Sequence, residues 1–270
     1  LMIKRFNLRN TFCLIKNLCY YKNMKVAATI EARMGSSRLP GKVMLPINGQ
    51  PVLYHIINRL RLSKEIDEID VITSKKNENL IIKGFCEKIN VNCFMGDELD
   101  LIRRILDSQK SKIVEPDLIL QLTGDNPVLD PNLVDKVINF MKKKNCDYVD
   151  TSLDDSIILG LNLRCFKLSV LKEIDLMCKE KTMRSHGGYF IKKKKKFDLR
   201  QIKLKKEFFN PNIRLTLDEP LDFFVISEIF EELKDIKPIF KSEDIFNLYK
   251  RKPQIFKKNI NVVQKKTNEG

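Results

Sequence analysis

The sequence predicts an α/β protein in three layers, with a mostly parallel central sheet covered by helices on both faces and a small antiparallel insertion. Two observations carry this expectation. Short apolar runs alternate in strict turn with longer amphipathic stretches over residues 25–152, the pattern that right-handed crossovers fold into a parallel sheet. The three chemically unusual loops of the chain each follow such an apolar run, where open α/β sheets place their ligands.

In order, residues 25–30 (KVAATI) read as a buried strand, and residues 51–63 as a helix with proline in its first turn and Val52, Leu53, Ile56, Ile57 and Leu60 on one stripe. Residues 68–74 (EIDVITS) form a second strand, followed by a helix over 77–89, a short strand NCFMG and a helix over 98–110. Residues 117–124 (DLILQLTG) are a strongly apolar strand. Asp130 and Pro131 cap the helix over 132–144, and DYVDTS follows as a strand. The second half is less regular, with strands expected over 159–166, 197–204 and 213–218 and helices over 168–179 and 220–233. No Pro/Gly/Ser-rich linker divides the chain, so residues 24–250 are expected to form one domain. The basic, acid-free stretch 1–23 reads as an extension, disordered or foreign to a native protein starting at Met24, and 251–270 as a basic tail.

Fifty Lys and Arg against 35 Asp and Glu give a net charge of +15, which invites a nucleic-acid partner. The distribution argues against one. Lys4, Arg5, Arg9, Lys16 and Lys22 cluster in the extension, residues 192–196 are consecutive lysines, and the other lysines dot helix surfaces. Cations interleaved with aromatics along one face are not visible. Lys16 and Asn17 split the only apolar run of the extension, so neither a signal segment nor a membrane span is expected, and the protein reads as cytoplasmic. Seven cysteines without a C-x-x-C pair read as reduced thiols, and with only His55 and His186 a zinc site is not expected.

The first unusual loop lies in IEARMGSSRLPGKVMLPINGQPVL, residues 30–53. Gly35 and Gly41 let backbone N–H groups approach an anion, Ser36 and Ser37 add hydroxyl donors, and Arg33, Arg38 and Lys42 supply charge, which together suits a triphosphate. It is not a Walker A loop, since one residue too many separates Gly35 from Gly41 and Val43 follows Lys42. The second, LTGDNPVLDP, ends a strand in Asp125, which either caps a turn or holds a hard cation such as Mg²⁺. The third, RLTLDEP, ends in Asp218, a candidate second ligand of the same ion, with Glu219 as a first-turn helix acid.

Residues 30–53 closely resemble the opening signature of the sugar cytidylyltransferases, the group of acylneuraminate and Kdo cytidylyltransferases and spore coat polysaccharide biosynthesis F-type proteins. LTGDNPVLDP and RLTLDEPLDFF resemble that group's T-G-D-x-P and R-x-T-x-D-E-P-x-D-F elements, in the same order, so the resemblance spans roughly residues 24–249. It implies a nucleotide-diphospho-sugar transferase (Rossmann-like) fold and transfer of CMP from CTP to a sugar acid with release of pyrophosphate. Carried over by residue, Arg33, Ser36, Arg38 and Lys42 would bind the CTP phosphates, Ala32 and Arg33 would lie at the base, and Asp125 and Asp218 would hold Mg²⁺. The resemblance also implies a homodimer, packed through residues 150–200.

MRSHGGYFI, residues 183–191, departs from the family's E-H-V-T-x-Y-I, with Ser185 in place of the acid and Gly187–Gly188 in place of Val-Thr. A sugar contact by His186 therefore stands behind a structural role. Asn162 and Arg164 lie where the family's acceptor loop would be, and Arg164 or Arg184 is the candidate partner for the acceptor's carboxylate. His55 reads as packed. Two alternatives stand: a nucleotidyltransferase of the same fold using another NTP and a sugar phosphate, and a non-catalytic binding protein, though Lys42, Asp125 and Asp218 are all present.

Overall fold

The computed structural model describes residues 23–152 and 157–264. The expected extension lies outside these residues apart from Asn23. Among them, seven strands form one sheet in the order β5 (Asn92–Gly96), β4 (Glu68–Ser74), β1 (Val26–Glu31), β6 (Leu118–Thr123), β8 (Arg164–Lys167), β7 (Tyr148–Asp150) and β9 (Leu199–Arg200). β1 pairs in parallel with β4 and β6, and β5 continues the parallel array. β8 runs antiparallel to both β6 and β7, which is the antiparallel part the sequence led us to expect.

Side chains alternate across β1. Val26, Ala28 and Ile30 join Leu118, Leu120 and Leu122 in a core closed by α1 (Val52–Leu60), α4 (Pro131–Lys144), α7 (Pro220–Glu232) and α8 (Ser242–Arg251). Ala27 and Ile119 face the other way, with Phe166 and Tyr148, onto α3 (Leu101–Lys110) and α5 (Leu168–Met177). Burial on both faces is why these strands read as continuous apolar runs. α2 (Leu80–Lys88) completes the first layer through Ile82 and Cys86.

The less regular second half departs from expectation in three places. Of residues 159–166 only the end pairs as a strand, because Gly160, at φ 101°, breaks the chain there and a Cβ on it would lie 2.4 Å from the Leu215 carbonyl carbon. Of 197–204 only Leu199–Arg200 joins the sheet. Residues 213–218 run extended without a partner strand, bound through Leu215 N–H to Leu159 O (2.8 Å) and Leu217 N–H to Asp125 O (2.8 Å). They alternate as a strand does because Ile213, Leu215 and Leu217 pack into the first core, while Arg214 and Asp218, also buried, pair with each other on the other side.

Further elements were not anticipated, α8 (Ser242–Arg251) among them. β2 (Pro46–Ile47) and β3 (Gln50–Pro51) form a hairpin around Asn48–Gly49, both at positive φ, as a two-residue Asn-Gly turn requires. The stretch read as a basic tail continues instead as α9 (Pro253–Phe256), burying Ile255, Phe256 and Asn259 against the domain.

Candidate active site

The loop after β1 is held from inside and from below. Met34 O accepts the N–H groups of Ser36 (2.9 Å) and Gly41 (2.8 Å), closing the loop on itself, and Gly41 takes the left-handed φ of 71° that this closure needs. Asn79 is fully buried and accepts the Met34 N–H at 2.8 Å. Its amide donates to Ser74 O (3.3 Å) and Oγ (2.8 Å), fastening the loop to the end of β4. Ala32 is buried and continues β1 by donating to Ile72 O, while Arg33, Gly35 and Ser37 are exposed and Ser36 is half-buried.

The two strand-end aspartates meet at this loop. Gly124 N–H donates to Glu31 O at 2.8 Å, and a Cβ at 124 would lie 2.8 Å from that same oxygen, so glycine is what lets the end of β6 press against β1. Asp125, oriented by the Thr123 hydroxyl (2.5 Å), then faces Asp218, which the bond from Leu217 N–H to Asp125 O brings alongside. Lys42 Nζ bridges them, 2.8 Å from Asp125 Oδ2 and 2.9 Å from Asp218 Oδ1.

Asp218 collects two further cations, Arg38 at 3.1 Å and Arg214 at 3.0 Å. Behind it, fully buried Asp222 accepts from Arg214 Nε (2.9 Å), from the backbone N–H of Asp218 and Glu219 (3.0 Å each) and from Asn259 Nδ2 (2.8 Å). Glu219 is therefore the cap of α7 rather than a residue of its first turn, and it pairs with Arg38 at 3.0 Å. Burial pushes the Asp218 carboxyl up, but Lys42, Arg38 and Arg214 together hold it below its ordinary range. Burial likewise depresses the Lys42 ammonium, and the two aspartates more than offset it.

Two carboxylates, one after β6 and one at the end of the extended ribbon 213–218, thus converge on one cationic point, occupied by the Lys42 ammonium. That donor set fits Mg²⁺, which takes one or two protein carboxylates and leaves its other positions to water and phosphate oxygens. Among the described residues no group of three or more His, Cys, Asp or Glu could hold a metal by itself.

On the opposite face of the sheet a polar row caps the apolar core. Strand register places Gln121 opposite Arg164, Arg164 opposite Asp150, and Glu31 two residues beyond the partner of Gln121. Gln121 Nε2 donates to Glu31 (2.6 Å), and its Oε1 accepts the Gly188 N–H (2.9 Å). Burial raises the Glu31 carboxyl pKa, against the pull of the Gln121 hydrogen bond, Arg104 and Arg164. The departure at Gly187–Gly188 now has a physical reason. A Cβ at 187 would lie 2.7 Å from Gln121 Nε2, and one at 188 would lie 2.6 Å from Phe166 Cε1.

Other candidates are used differently. Arg184 is saturated by Asp100 (2.6 Å), Asp175 (2.5 Å) and the carbonyls of Asp175 (3.2 Å) and Cys178 (2.9 Å), which makes it a structural clamp. Asn162 turns inward to accept the Gly160 N–H at 3.2 Å. His186 is half-buried at the start of the 3-10 turn Gly187–Lys193. His55 Nε2 donates to Ile47 O in the hairpin (2.8 Å) and packs on Phe230. Asn79, Gln121, Arg214 and Asp222 were missed as site-building residues, although Arg214 and Asp222 lie within RLTLDEPLDFF.

A family model described as cytidylyltransferase matches residues 27–261. The chain belongs to the cytidylyltransferase family. It is 29% identical over 232 residues to the spore coat polysaccharide biosynthesis protein SpsF of Bacillus subtilis, covering 83% of this chain and 93% of SpsF. It is 32% identical over 136 residues to an 8-amino-3,8-dideoxy-manno-octulosonate cytidylyltransferase of Shewanella, covering 50% of this chain and 55% of that one. A solved cytidylyltransferase from Leptospira borgpetersenii superposes with a TM-score of 0.80 at 27% identity, covering 90% of this chain and all of that one. This cytidylyltransferase is accordingly a nucleotidyltransferase on an α/β frame. Among the described residues no helix is long and apolar enough to cross a membrane.

Proposed function

We propose that this cytidylyltransferase activates a sugar acid with CTP, giving the CMP-sugar and pyrophosphate for surface polysaccharide or glycan biosynthesis. The observation that carries the reading is the convergence of Asp125, Asp218 and Lys42 on one point beside an open loop of N–H and cationic donors. The names of SpsF and of the Shewanella enzyme support the product class and the acceptor class respectively.

In the reaction a hydroxyl oxygen of the acceptor forms a bond to the α-phosphorus as the bond to the β-phosphate oxygen breaks, and its proton passes to solvent. The chain positions the partners and neutralises charge. Arg33, Ser36, Ser37, Arg38 and Lys42 receive the phosphates on side chains, Gly35 and its neighbours on backbone N–H groups, and Ala32 lies under the base. Asp125 and Asp218 would hold Mg²⁺, which would supply charge neutralisation on the phosphates and a lower pKa for the attacking hydroxyl. Lys42, tied to both carboxylates here, would supply its charge to the phosphates beside them. Arg164 receives the acceptor's carboxylate.

The test is pyrophosphate release by the purified protein with Mg²⁺, each of the four NTPs and a panel of sugar acids and sugar phosphates. Release with CTP and a sugar acid, lost in Asp125→Ala, is expected. Release only with another NTP or a sugar phosphate overturns the proposal.

A further inference from the structure

Glu31 has no part in the phosphate loop, yet its half-buried carboxylate lies at the end of β1, where that loop begins. Its backbone oxygen accepts the N–H of Gly124, the residue before Asp125, and its carboxylate lies within electrostatic reach of Asp125. One carboxylate oxygen takes the Gln121 amide; among the described residues the other has no hydrogen-bond partner, and the residue is half-buried. The Gln121 amide cannot flip. Its oxygen is engaged by the Gly188 N–H, a group that can only donate, so its NH₂ must face Glu31. The Gly187–Gly188 pair is what permits this contact, since either Cβ would strike Gln121.

The side of the sheet matters as well. The phosphate loop packs through Met34, Leu39 and Val43 on the first core, whereas Glu31, Gln121 and Arg164 share the opposite face with Phe166. In an in-line displacement the nucleophile enters opposite the leaving group. With pyrophosphate departing toward the loop, the acceptor enters over the Glu31 row.

The geometry points to Glu31 as a residue that determines acceptor specificity: its open oxygen accepts a hydrogen bond from a neutral hydroxyl of the acceptor, and Gln121, locked by Gly188, is its positioning residue. A hydroxyl suits the place better than an ammonium, because Arg104 and Arg164 lie within electrostatic reach. The inference rests on the cytidylyl-transfer reading above.

The test is steady-state kinetics with CTP and 2-keto-3-deoxy-manno-octonic acid, or whichever sugar acid of the panel turns over, on wild type, Glu31→Gln and the double variant Glu31→Gln/Gln121→Glu. In the single variant the introduced amide must give its oxygen to Gln121 and turn its NH₂ on the acceptor's donor. The acceptor KM should rise about 10-fold or more while the CTP KM stays within about 2-fold. In the double variant the carboxylate at 121 accepts both N–H groups and the amide oxygen turns outward again, so the acceptor KM should recover most of that loss. An unchanged acceptor KM, an equal rise for CTP, or no recovery would overturn the inference. A wild type that binds no CTP by calorimetry would overturn the reading beneath it, and the inference with it.

Discussion

Asp150→Asn is the substitution whose cost the structure allows to be worked out. Asp150 is 1% exposed and accepts from the Tyr148 hydroxyl (2.9 Å) and from Ser152 N–H and Oγ (2.8 and 2.6 Å), with Lys192 at 3.2 Å and Arg164 at 3.4 Å. Burial alone would raise its pKa; Arg164, Lys192 and Ser152 outweigh burial and hold the carboxyl at about 2 against an ordinary 3.8. That difference corresponds to about 2–3 kcal/mol of folding free energy at neutral pH. Because the folded-state pKa is depressed, the stabilisation is complete above the ordinary pKa and lost as pH falls through the folded one. About half of it should remain at pH 3. Urea unfolding of wild type and Asp150→Asn should therefore show a gap of about 2–3 kcal/mol at pH 7 that narrows by about half at pH 3. Equal midpoints at pH 7, or a gap as wide at pH 3, would refute the reasoning. The same variant releases Arg164, so the acceptor KM should rise with little change for CTP.

Lys42→Met should lower cytidylyl transfer by about 10²–10³-fold, since a preorganised charge on the phosphates is lost, and calorimetry should show weaker CTP binding. Unchanged kcat/KM would remove Lys42 from the machinery. Gly160→Ala should cost at least about 2 kcal/mol in urea, because φ 101° strains any L side chain and the new Cβ meets the Leu215 backbone; it should also impair turnover, as that backbone leads to Asp218. Arg184→Ala should destabilise by about 1–2 kcal/mol through loss of its contacts to Asp100 and Asp175, with acceptor KM unchanged. A rise in acceptor KM alone would return Arg184 to the substrate.

The layered frame was open to reading because β1, β4 and β6 are buried on both faces and the helices on one, so local periodicity reports the tertiary environment directly. The loop proposed to receive the phosphates was equally plain, since its glycines, hydroxyls and cations all lie within residues 33–42. The Asn-Gly signal of the β2–β3 hairpin was present and passed over. Residues 213–218 alternate as a strand does, but a ribbon with one side in the core and buried polar groups on the other gives the same pattern without a sheet partner.

What only the tertiary structure decided is which charges are engaged and with whom. Arg164 and Arg184 are equivalent as letters; packing saturates Arg184 with Asp100 and Asp175 and sets Arg164 on the row beside Glu31. Lys42 and Asp218 lie 176 residues apart and meet at 2.9 Å only because β1 and β6 are neighbours and the ribbon ending at Asp218 is bonded to Asp125. Periodicity and spacing report on neighbours within a few residues, whereas an ion pair depends on strand order and register, which the whole chain sets together.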